Sequence, residues 1–353
     1  MFLAIREIMH NKLHYGLIIG IVTLIGYLMI ILTGLMLGLA NENTAVIRDW
    51  DIKTVYLNRD ADDNLGQSLI TSKQVGKLNA HEALVGTVPV VMKRAHSNHA
   101  NKQSIQFMGI DRQQFLYRHK LQITEGHRPQ QVNEIVLDRS LHEKGYRIGN
   151  QVKFADQQQT YQVVGFVKNA KLNIAPLAIG SLAAWRHLKG TNDQFIASGV
   201  FSDQNLAASL HSQLGRYTAK EFIQKLPGYA AQNTTFLFMI GFLMVISLIV
   251  IAVFLYILTM QKLPEYAVLR AQGIPAATLV WATISEAIIL MTSGVMVSLI
   301  ITLVTSLVMP TNVPMLINWP LTILIGISLI ILGTVGALLP VRIISKIDPL
   351  DAI

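Results

Sequence analysis

Residues 234–259 read TTFLFMIGFLMVISLIVIAVFLYILT, and no charged residue occurs between Lys225 and Lys262. About 20 consecutive apolar residues are enough for a helix to cross the hydrocarbon core of a bilayer. A helix that is apolar on every side is unusual in a soluble protein, because one face normally meets water. The run therefore predicts a transmembrane helix, which we assign to residues 233–260.

A short polar stretch, QKLPEYAVLRAQG at residues 261–273, separates this span from the next apolar segment. Its charged side chains, Lys262, Glu265 and Arg270, are expected to need water. One helix face carries, at 3–4 spacing, Leu263, Tyr266, Ala267 and Arg270. This pattern is typical of a short amphipathic helix on the membrane surface. Gly273, with Pro275 just beyond it, is expected to cap the C-terminus of that helix.

The composition of the whole chain indicates an integral membrane protein. Hydrophobic residues make up 52% of the chain and charged residues 14%, whereas about 25% of residues are charged in soluble domains. The chain has no cysteine, which excludes disulfides and thiolate metal sites. Its net charge of +8 comes without an aromatic-rich basic cluster, so we expect anionic lipid or an anionic ligand as its partner, and no nucleic acid.

Three further apolar runs divide the rest of the chain. Residues 15–40 are too long for the apolar region of a signal peptide, so we interpret them as a permanent first span. The third and fourth spans are assigned to residues 277–309 and 321–340. The other segments are, in order, an interfacial helix at 1–14, a large polar domain at 41–232, a surface segment at 261–276, a hairpin at 310–320 and a tail at 341–353.

Residues 41–232 have the composition of a soluble domain, since they hold sixteen of the 21 acidic and 23 of the 29 basic residues. Short stretches bounded by turns predict strands, at residues 85–92, 104–110, 134–138, 151–154 and 160–167. Helices are predicted at residues 72–80, 181–188 and 206–214. The domain is therefore expected to be α+β.

The short flanks of the spans predict the orientation, because basic residues near membrane helices favour the cytoplasmic side. Six of them fall on one side of the predicted layout: Arg6, Lys12, Lys262, Arg270, Arg342 and Lys346. We expect both termini in the cytoplasm of a bacterial cell and the 41–232 domain outside its membrane. The predicted fold class is an α-helical membrane protein with four transmembrane helices and a large α+β extracytoplasmic domain between helices 1 and 2.

Several motifs in this layout resemble the FtsX and MacB class of ABC transporter permeases, over the whole chain. EYAVLRAQG at 265–273 looks like the cytoplasmic coupling segment of that family, and IDPLDA at 347–352 looks like its C-terminal end. The external-domain consensus of the family is similar to EGHRP at 125–129, NEIVLD at 133–138 and YQVVG at 161–165. The heme-efflux branch of the class, with DevC-like relatives that share much of the pattern, is similar to FLAIREI at 2–8, GLANEN at 38–43 and LPGY at 226–229.

The resemblance implies a homodimeric permease of the MacB-like type VII architecture, working with two copies of a separate cytoplasmic ABC ATPase. ATP-driven closure of that ATPase would be transmitted through the coupling segment, which contains Glu265, Arg270 and Gly273. These 353 residues contain no G-x-x-x-x-G-K-[ST] phosphate loop, so ATP and Mg²⁺ are expected on the partner subunit. No H-E-x-x-H or G-x-S-x-G motif is present either, and we predict no catalytic site, metal site or intrinsic cofactor.

Four residues are candidate contacts for a heme substrate. Met29 and Met36 are seven residues apart and share a helical face. Thioether sulfur is a known axial heme ligand, but methionine is also an ordinary packing residue in an apolar span. Glu42, at the outer mouth of the first span, could bind heme iron or a basic partner, or be a solvated cap. Tyr229 could contact heme through its phenol, or anchor the second span at the membrane interface.

Other residues in and near the spans also keep two interpretations. An ionisable group inside a span is costly and usually faces protein or water, so we expect Glu286 to have a packing or coupling role. His96 and His99 are expected on the surface of a loop, with metal or heme contact as the alternative. The G-x-x-x-G patterns at residues 16–20 and 34–38 either allow close helix contacts or reflect the frequency of glycine in spans.

Two functions remain open at this point. The first is export of an amphipathic substrate, heme in particular, from the membrane through a dimer cleft lined by the first helix. The second is a mechanotransmitter, in which ATP hydrolysis moves the external domain to control a peptide sensor or a cell-wall hydrolase without moving a substrate. A fold alone cannot separate the two.

Overall fold

The structure is a computed structural model, and it describes residues 12–95, 102–154, 158–207, 211–310, 313–338 and 341. The chain divides into two compact units, one made of residues 1–38 with 233–353 and the other of residues 39–232. The first unit is helical and the second is built on a mixed sheet. Most of the predicted interfacial helix at 1–14, the tail after residue 341, and both His96 and His99 lie outside the described residues.

The helices of the described residues are α1 (Lys12–Asp49), α2 (Ser72–Val75), α3 (Ser140–Glu143), α4 (Leu182–Lys189), α5 (Ala219–Gln224), α6 (Tyr229–Gln261), α7 (Leu263–Ala271), α8 (Ala276–Val308) and α9 (Trp319–Gly336). A single π-helical turn lies at Leu116–Lys120. The strands are β1 (Thr54–Asn58), β2 (Ile70–Thr71), β3 (Glu82–Arg94), β4 (Gln103–Ile110), β5 (Ile123–Gly126), β6 (Glu134–Asp138), β7 (Gln151–Phe154), β8 (Thr160–Val167), β9 (Lys171–Leu172), β10 (Ala175–Ser181), β11 (Phe195–Ala197), β12 (Gly199–Ser202) and β13 (Leu214–Thr218).

Four of the described helices, α1, α6, α8 and α9, are long and apolar enough to cross a membrane. A helix satisfies its own backbone polar groups, which hydrocarbon cannot do. The mixed sheet lies in sequence between α1 and α6. The predicted fold class, four apolar spans with an α+β domain between the first and the second, is confirmed.

α1 is longer than the predicted first span of 15–40, because it continues to Asp49. Its 38 residues correspond to about 57 Å at 1.5 Å per residue, well beyond the hydrocarbon core of about 30 Å. The last turns carry Val46 and Ile47, which are buried with Trp50 in an apolar core of the sheet domain. The helix continues past the apolar run because these side chains gain apolar contacts there.

The main sheet has the strand order β13, β1, β12, β3, β4, β10, β6, β8 and β5. β7 pairs with both β3 and β8, so the pairings β3, β4, β10, β6, β8 and β7 form a closed circuit. The β4·β10 and β6·β8 pairs are parallel, and the other pairs of the circuit are antiparallel. Phe107, Phe154 and Tyr161 contact one another in a second apolar core, with ring centroids 4.9 to 6.3 Å apart.

Two of the family-like motifs are explained by a close backbone approach between β5 and β8. Gly126 lies opposite Gly165, and a Cβ on Gly126 would lie only 2.2 Å from the carbonyl oxygen of Val164. Gly126 also has a φ of 85°, which L side chains rarely adopt. Arg128 of the same motif donates its Nε–H to the carbonyl of Leu121 at 3.1 Å. EGHRP and YQVVG are therefore accounted for by the packing of the sheet.

The helix predicted at residues 206–214 is wrong for the described part of that segment. Leu206 is in irregular chain and Leu214 begins β13. The N–H of Leu206 donates to Thr54 Oγ1 at 3.2 Å, and its carbonyl accepts a hydrogen bond from Arg216 Nε at 2.6 Å. These tertiary hydrogen bonds outweigh the local helix propensity.

The five predicted strands correspond to β3, β4, β6, β7 and β8, and the helix predicted at 181–188 corresponds to α4. The helix predicted at 72–80 is shorter, since only the four residues of α2 are helical. β10 is not predicted from the sequence, although it lies in the middle of the sheet. Its small residues have low strand propensity, but they are needed there: a Cβ on Gly180 would lie 2.8 Å from the ring of Phe107.

Candidate functional site

α7 has one buried face and one exposed face. Tyr266 and Ala267 are buried against Leu279 at the start of α8. Glu265 is exposed on the other side, and Val268, three residues further along, is 50% exposed. We call the exposed face around Glu265 and Val268 the α7 outer face. It is the part of α7 that is free to contact another molecule.

Gly273 ends α7 in a Schellman motif. Its φ is 88°, a value that favours glycine. The N–H of Gly273 donates to the carbonyl of Arg270 at 3.0 Å, and the N–H of Ile274 donates to the carbonyl of Leu269 at 3.1 Å. Leu269 and Ile274 also pack on the same small apolar cluster. Gly273 thus sets the turn that leads from α7 to α8.

Arg270 is less free than its sequence context indicates. The residue is half-buried, and its Nη1 donates to the carbonyl of Ile274 at 3.5 Å. The guanidinium therefore lies at the C-terminal end of α7, where a positive charge interacts favourably with the helix dipole. Arg270 supports the fold of this segment, whether or not it also contacts a partner.

Lys262 contradicts the expectation that every charge in residues 261–273 needs water. The residue is only 8% exposed. Its Nζ lies 3.2 and 3.3 Å from the two carboxylate oxygens of Glu286 in α8 and donates to the hydroxyl of Tyr15 in α1 at 2.6 Å. Buried charges are tolerated when they are paired and hydrogen-bonded. Lys262 is thus a partner of Glu286, and the sequence alone does not identify it.

Glu42 forms an ion pair with Lys171 in β9, and both side chains are about one-fifth exposed, at 20% and 22%. The turn after β9 is also bonded to α1. The N–H of Asn173 donates to the carbonyl of Asn43 at 3.0 Å, and the N–H of Ile174 donates to the carbonyl of Glu42 at 3.3 Å. Ile174 has a φ of 66°, which is unfavourable for a β-branched residue. The hairpin formed by β9 and β10, which contains this turn, is therefore held against α1 beside Glu42.

Asp138, the last residue of the NEIVLD motif, supports the same hairpin. Its buried carboxylate accepts the N–H of Ala170 at 2.7 Å and both the N–H and the hydroxyl of Ser140, at 2.9 and 2.5 Å. Burial raises the pKa of Asp138, although the hydrogen bonds from Ser140 act in the opposite direction. The position of Lys171 thus depends on a residue in the middle of the sheet domain.

Of the other three candidate contacts, Met29 and Tyr229 are less accessible than Glu42, and Met36 is half-buried as Glu42 is. Met29 is fully buried in the apolar core of the helical unit, and Met36 is half-buried against the same core. Tyr229 is 7% exposed in a core of the sheet domain. Met29 and Met36 belong to the helical unit, and Glu42 and Tyr229 belong to the sheet unit. All four positions have packing or pairing partners, and their role as heme contacts stays a prediction.

The two G-x-x-x-G patterns of α1 differ in their surroundings. A Cβ on Gly38 would lie 1.9 Å from the carbonyl oxygen of Pro314. A Cβ on Gly34 would lie 3.1 Å from side-chain carbon atoms of Met315. A Cβ on Gly16 or Gly20 would meet no atom within 4 Å. The second pattern is therefore a close packing contact between α1 and the connection that follows α8.

Comparison with known proteins gives a family match in the C-terminal part of the chain and relatives over its full length. Residues 237–349, which include α7, match the family described as FtsX-like permease C-terminal. This part of the chain is therefore similar to the C-terminal part of FtsX-like permeases. The whole chain is 24% identical to proteins named hemin transport system permease protein HrtB from Staphylococcus haemolyticus and Staphylococcus epidermidis, with 100% of this chain and 99% of each relative covered.

Among solved structures, the extracellular domain of the noncanonic ABC-type transporter YknZ from Gram-positive bacteria is 14% identical, with a TM-score of 0.32. That similarity covers 46% of this chain and 87% of the YknZ domain. The family match and the full-length similarity support the resemblance to ABC permeases of the FtsX class that the motifs indicate. In the sequence, α7 coincides with the predicted coupling segment, whose role stays a prediction.

Proposed function

We propose that this permease exports heme, or a similar amphipathic molecule, from the membrane, and that a separate ABC ATPase drives the export. The observation that carries the proposal is the similarity to permeases named for hemin transport, because it covers the sheet domain as well as the spans. A match confined to the C-terminal spans would indicate only the general class of permease. The full-length similarity supports the more specific substrate.

The ATPase is proposed to bind the α7 outer face. Glu265 and Val268 offer a charge and an apolar side chain on one exposed side, while Tyr266 and Ala267 fix the other side to α8. A helix that is packed on one face can transmit a push received on the opposite face. We further propose two permease copies with two ATPase subunits, with the termini and α7 in the cytoplasm, as the basic flanks predict.

The heme contact is proposed at Glu42 and its surroundings on α1. Heme offers an iron atom to a carboxylate ligand and two carboxylates to a cation, and Glu42 and Lys171 supply those two groups side by side. Met36 belongs to the helical unit, and its half-buried sulfur is a separate candidate ligand. Met29 is fully buried, so its sulfur would reach heme only if the helices of the bundle separate.

The deciding experiment is a heme titration of the purified permease, with and without its ATPase. We expect a saturable change in the heme absorption band and faster ATP hydrolysis by the complex when heme is added. Cells that carry the permease and its ATPase are expected to survive added heme better than cells without them. An unchanged absorption band together with heme-independent ATP hydrolysis would reject heme and leave the mechanotransmitter function.

A further inference from the structure

Lys262 lies at the junction between α6 and α7, and its side chain connects this junction to two other helices. Its Nζ lies 2.6 Å from the hydroxyl of Tyr15 in α1 and within 3.3 Å of both carboxylate oxygens of Glu286 in α8. It also lies 5.3 Å from the centroid of the Tyr15 ring. The exposed fractions of Lys262, Tyr15 and Glu286 are 8%, 1% and 3%. Four helical segments therefore meet at one buried ammonium group.

The backbone hydrogen bonds between α6 and α7 centre on Lys262, whose carbonyl accepts the N–H of Tyr266 at 3.0 Å. Pro264 is the second residue of α7, so the amide hydrogen bond to the preceding turn is missing at that position. The N–H of Lys262 is shared between the carbonyls of Leu258 and Thr259, at 3.2 and 3.1 Å. Sharing of this kind is common where a helix ends. The direction of α7 at this junction is therefore set by side chains as well as by the backbone.

Stability alone is a poor explanation for charges at this position. Removing two charges from water costs several kcal/mol per ion, and exchanging a buried pair for apolar residues of similar size is often neutral or stabilising. Apolar packing already attaches α7 to α8 through Tyr266 and Leu279. The ion pair additionally fixes the orientation of α7, because hydrogen bonds to the ammonium group restrict distances and angles more than apolar contacts do.

We propose that Lys262 is a positioning residue which, through Glu286 and Tyr15, makes α7 move together with α8 and α1. Displacement of α7 by the ATPase then reaches α1, the helix that carries Met36 and Glu42. The inference rests on the proposed function in one respect, since it requires an ATPase that acts on α7. It does not require that the substrate be heme.

The test replaces the ion pair without leaving a buried charge behind. Lys262→Met combined with Glu286→Met removes both charges and keeps unbranched side chains, so the variant is expected to fold and to bind the ATPase. Lys262→Met alone leaves the carboxylate of Glu286 buried without its cation, and this variant shows how structural damage changes the response. The exchanged pair, Lys262→Glu with Glu286→Lys, restores the attraction and tests rescue. Lys225→Met with Asp63→Asn removes a pair in the sheet domain and is the matched control.

The measurement follows α7 and α1 separately in the full chain bound to its ATPase. The chain has no cysteine, so a single cysteine can carry an environment-sensitive fluorophore, placed at the exposed Gln272 after α7 or at the exposed Leu24 in α1. ATP with Mg²⁺ is then added. In the otherwise unchanged chain we expect both labels to respond. In the double methionine variant the label at position 272 is expected to respond as before, and the response at position 24 to fall at least ~5-fold, the lower end of usual coupling between sites.

The outcomes separate this inference from the proposed function. Recovery of the response at position 24 in the exchanged pair, with no change in the Lys225 and Asp63 control, supports the positioning role. A normal response at position 24 in the double methionine variant overturns it. If neither label responds to ATP in the otherwise unchanged chain, both the inference and the ATP-driven mechanism are wrong. If both labels respond but heme does not stimulate hydrolysis, only the substrate is wrong, and the label at position 24 still decides the role of Lys262.

Discussion

The carboxylate of Glu42 on α1 pairs with the ammonium group of Lys171 in β9, next to a turn that donates two backbone hydrogen bonds to the same part of the helix. A carboxylate and an ammonium held together in this way neutralise each other in the absence of substrate. We propose that, when the pair separates, the carboxylate binds heme iron and the ammonium group binds a heme carboxylate. The pair is therefore the first target for mutation.

Glu42→Gln keeps the size of the side chain and removes the proposed iron ligand. We expect the heme affinity of the purified permease to fall at least ~10-fold, equivalent to about 1.4 kcal/mol, with a changed absorption band. Lys171→Met is expected to weaken binding and keep the band, because Glu42 remains. Each variant removes one partner of a pair that is only about one-fifth exposed, so some loss of stability is expected, and the thermal unfolding midpoint is measured beside the heme titration.

Lys53→Met is the matched control for Lys171→Met, because Lys53 also pairs with a carboxylate, that of Asp51, but on an exposed part of the sheet domain. Its heme titration should match that of the unchanged chain. Unaltered affinity and an unaltered band in Glu42→Gln would show that Glu42 is only a structural partner of Lys171.

Met36→Leu and Met29→Leu distinguish the two methionine sulfurs. Both changes nearly conserve volume and should cost less than about 1.5 kcal/mol of stability. We expect Met36→Leu to shift the heme band, because Met36 is half-buried, and Met29→Leu to leave it unchanged, because Met29 is fully buried. A shift that occurs only in Met29→Leu would show that the helices separate to admit heme.

Glu265→Ala combined with Val268→Ala removes the contacts proposed for the α7 outer face. The interface residues that matter most for binding each cost more than about 1 kcal/mol when truncated. We expect Glu265 and Val268 to be among them, so co-purification of the ATPase should fall at least ~10-fold while membrane insertion continues. Arg270→Ala is expected to lower the stability of the permease as well, because Arg270 is half-buried. Gln261→Ala, at the exposed end of α6, is the control. Normal co-purification in the double variant would place the ATPase elsewhere.

Gly38→Ala tests the contact between α1 and the connection after α8. The added Cβ would lie 1.9 Å from the carbonyl oxygen of Pro314, and overpacking of this kind costs about 1–3 kcal/mol. We expect a lower thermal unfolding midpoint in detergent. Gly241→Ala makes the same chemical change in α6, where nothing lies within 4 Å, and should leave the midpoint the same or higher. Equal midpoints in the two variants would contradict the close contact.

Asp63, Tyr217 and Lys225 predict how the stability of the protein depends on pH. The hydrogen bonds from Lys225 and then Tyr217 lower the pKa of Asp63, while burial and the nearby carboxylate raise the pKa of Tyr217 to about 12. The stability from Asp63 is present above its unfolded pKa of about 4 and is lost as the pH falls through the folded pKa. The stability from Tyr217 is present below its unfolded pKa of about 10 and is lost as the pH rises through about 12.

Unfolding of the full chain in detergent should therefore be followed from pH 2 to pH 12, an interval that includes the ordinary pKa of both groups, about 4 and about 10. Asp63→Asn is expected to flatten the acid side of the curve, and Tyr217→Phe the alkaline side. Asp193→Asn, at a fully exposed carboxylate, is the control for the acid side. An acid side that is equally steep with and without Asp63 would contradict the assignment.

Features that depend on neighbouring residues could be predicted from the sequence. An apolar run such as 234–259 specifies a membrane helix because the bilayer acts on each residue in turn and needs only length and hydrophobicity. The end of α7 is also predictable, since a glycine at position 273 readily adopts the φ of 88° that ends the helix. The alternating and apolar stretches that became β3, β4, β6, β7 and β8 belong to the same class.

The tertiary structure alone decided the features that depend on distant partners. Lys262 was expected in water, and it is buried because Glu286, 24 residues away, and Tyr15, 247 residues away, supply its partners. The two G-x-x-x-G patterns of α1 have the same local form. Only the position of Pro314 shows which of them packs closely against another segment of the chain. Glu42 likewise gained its partner from Lys171, 129 residues further along. A local sequence pattern shows whether a segment prefers water or lipid. The partners of its charged groups and its close contacts depend on other segments, which are far away in the sequence.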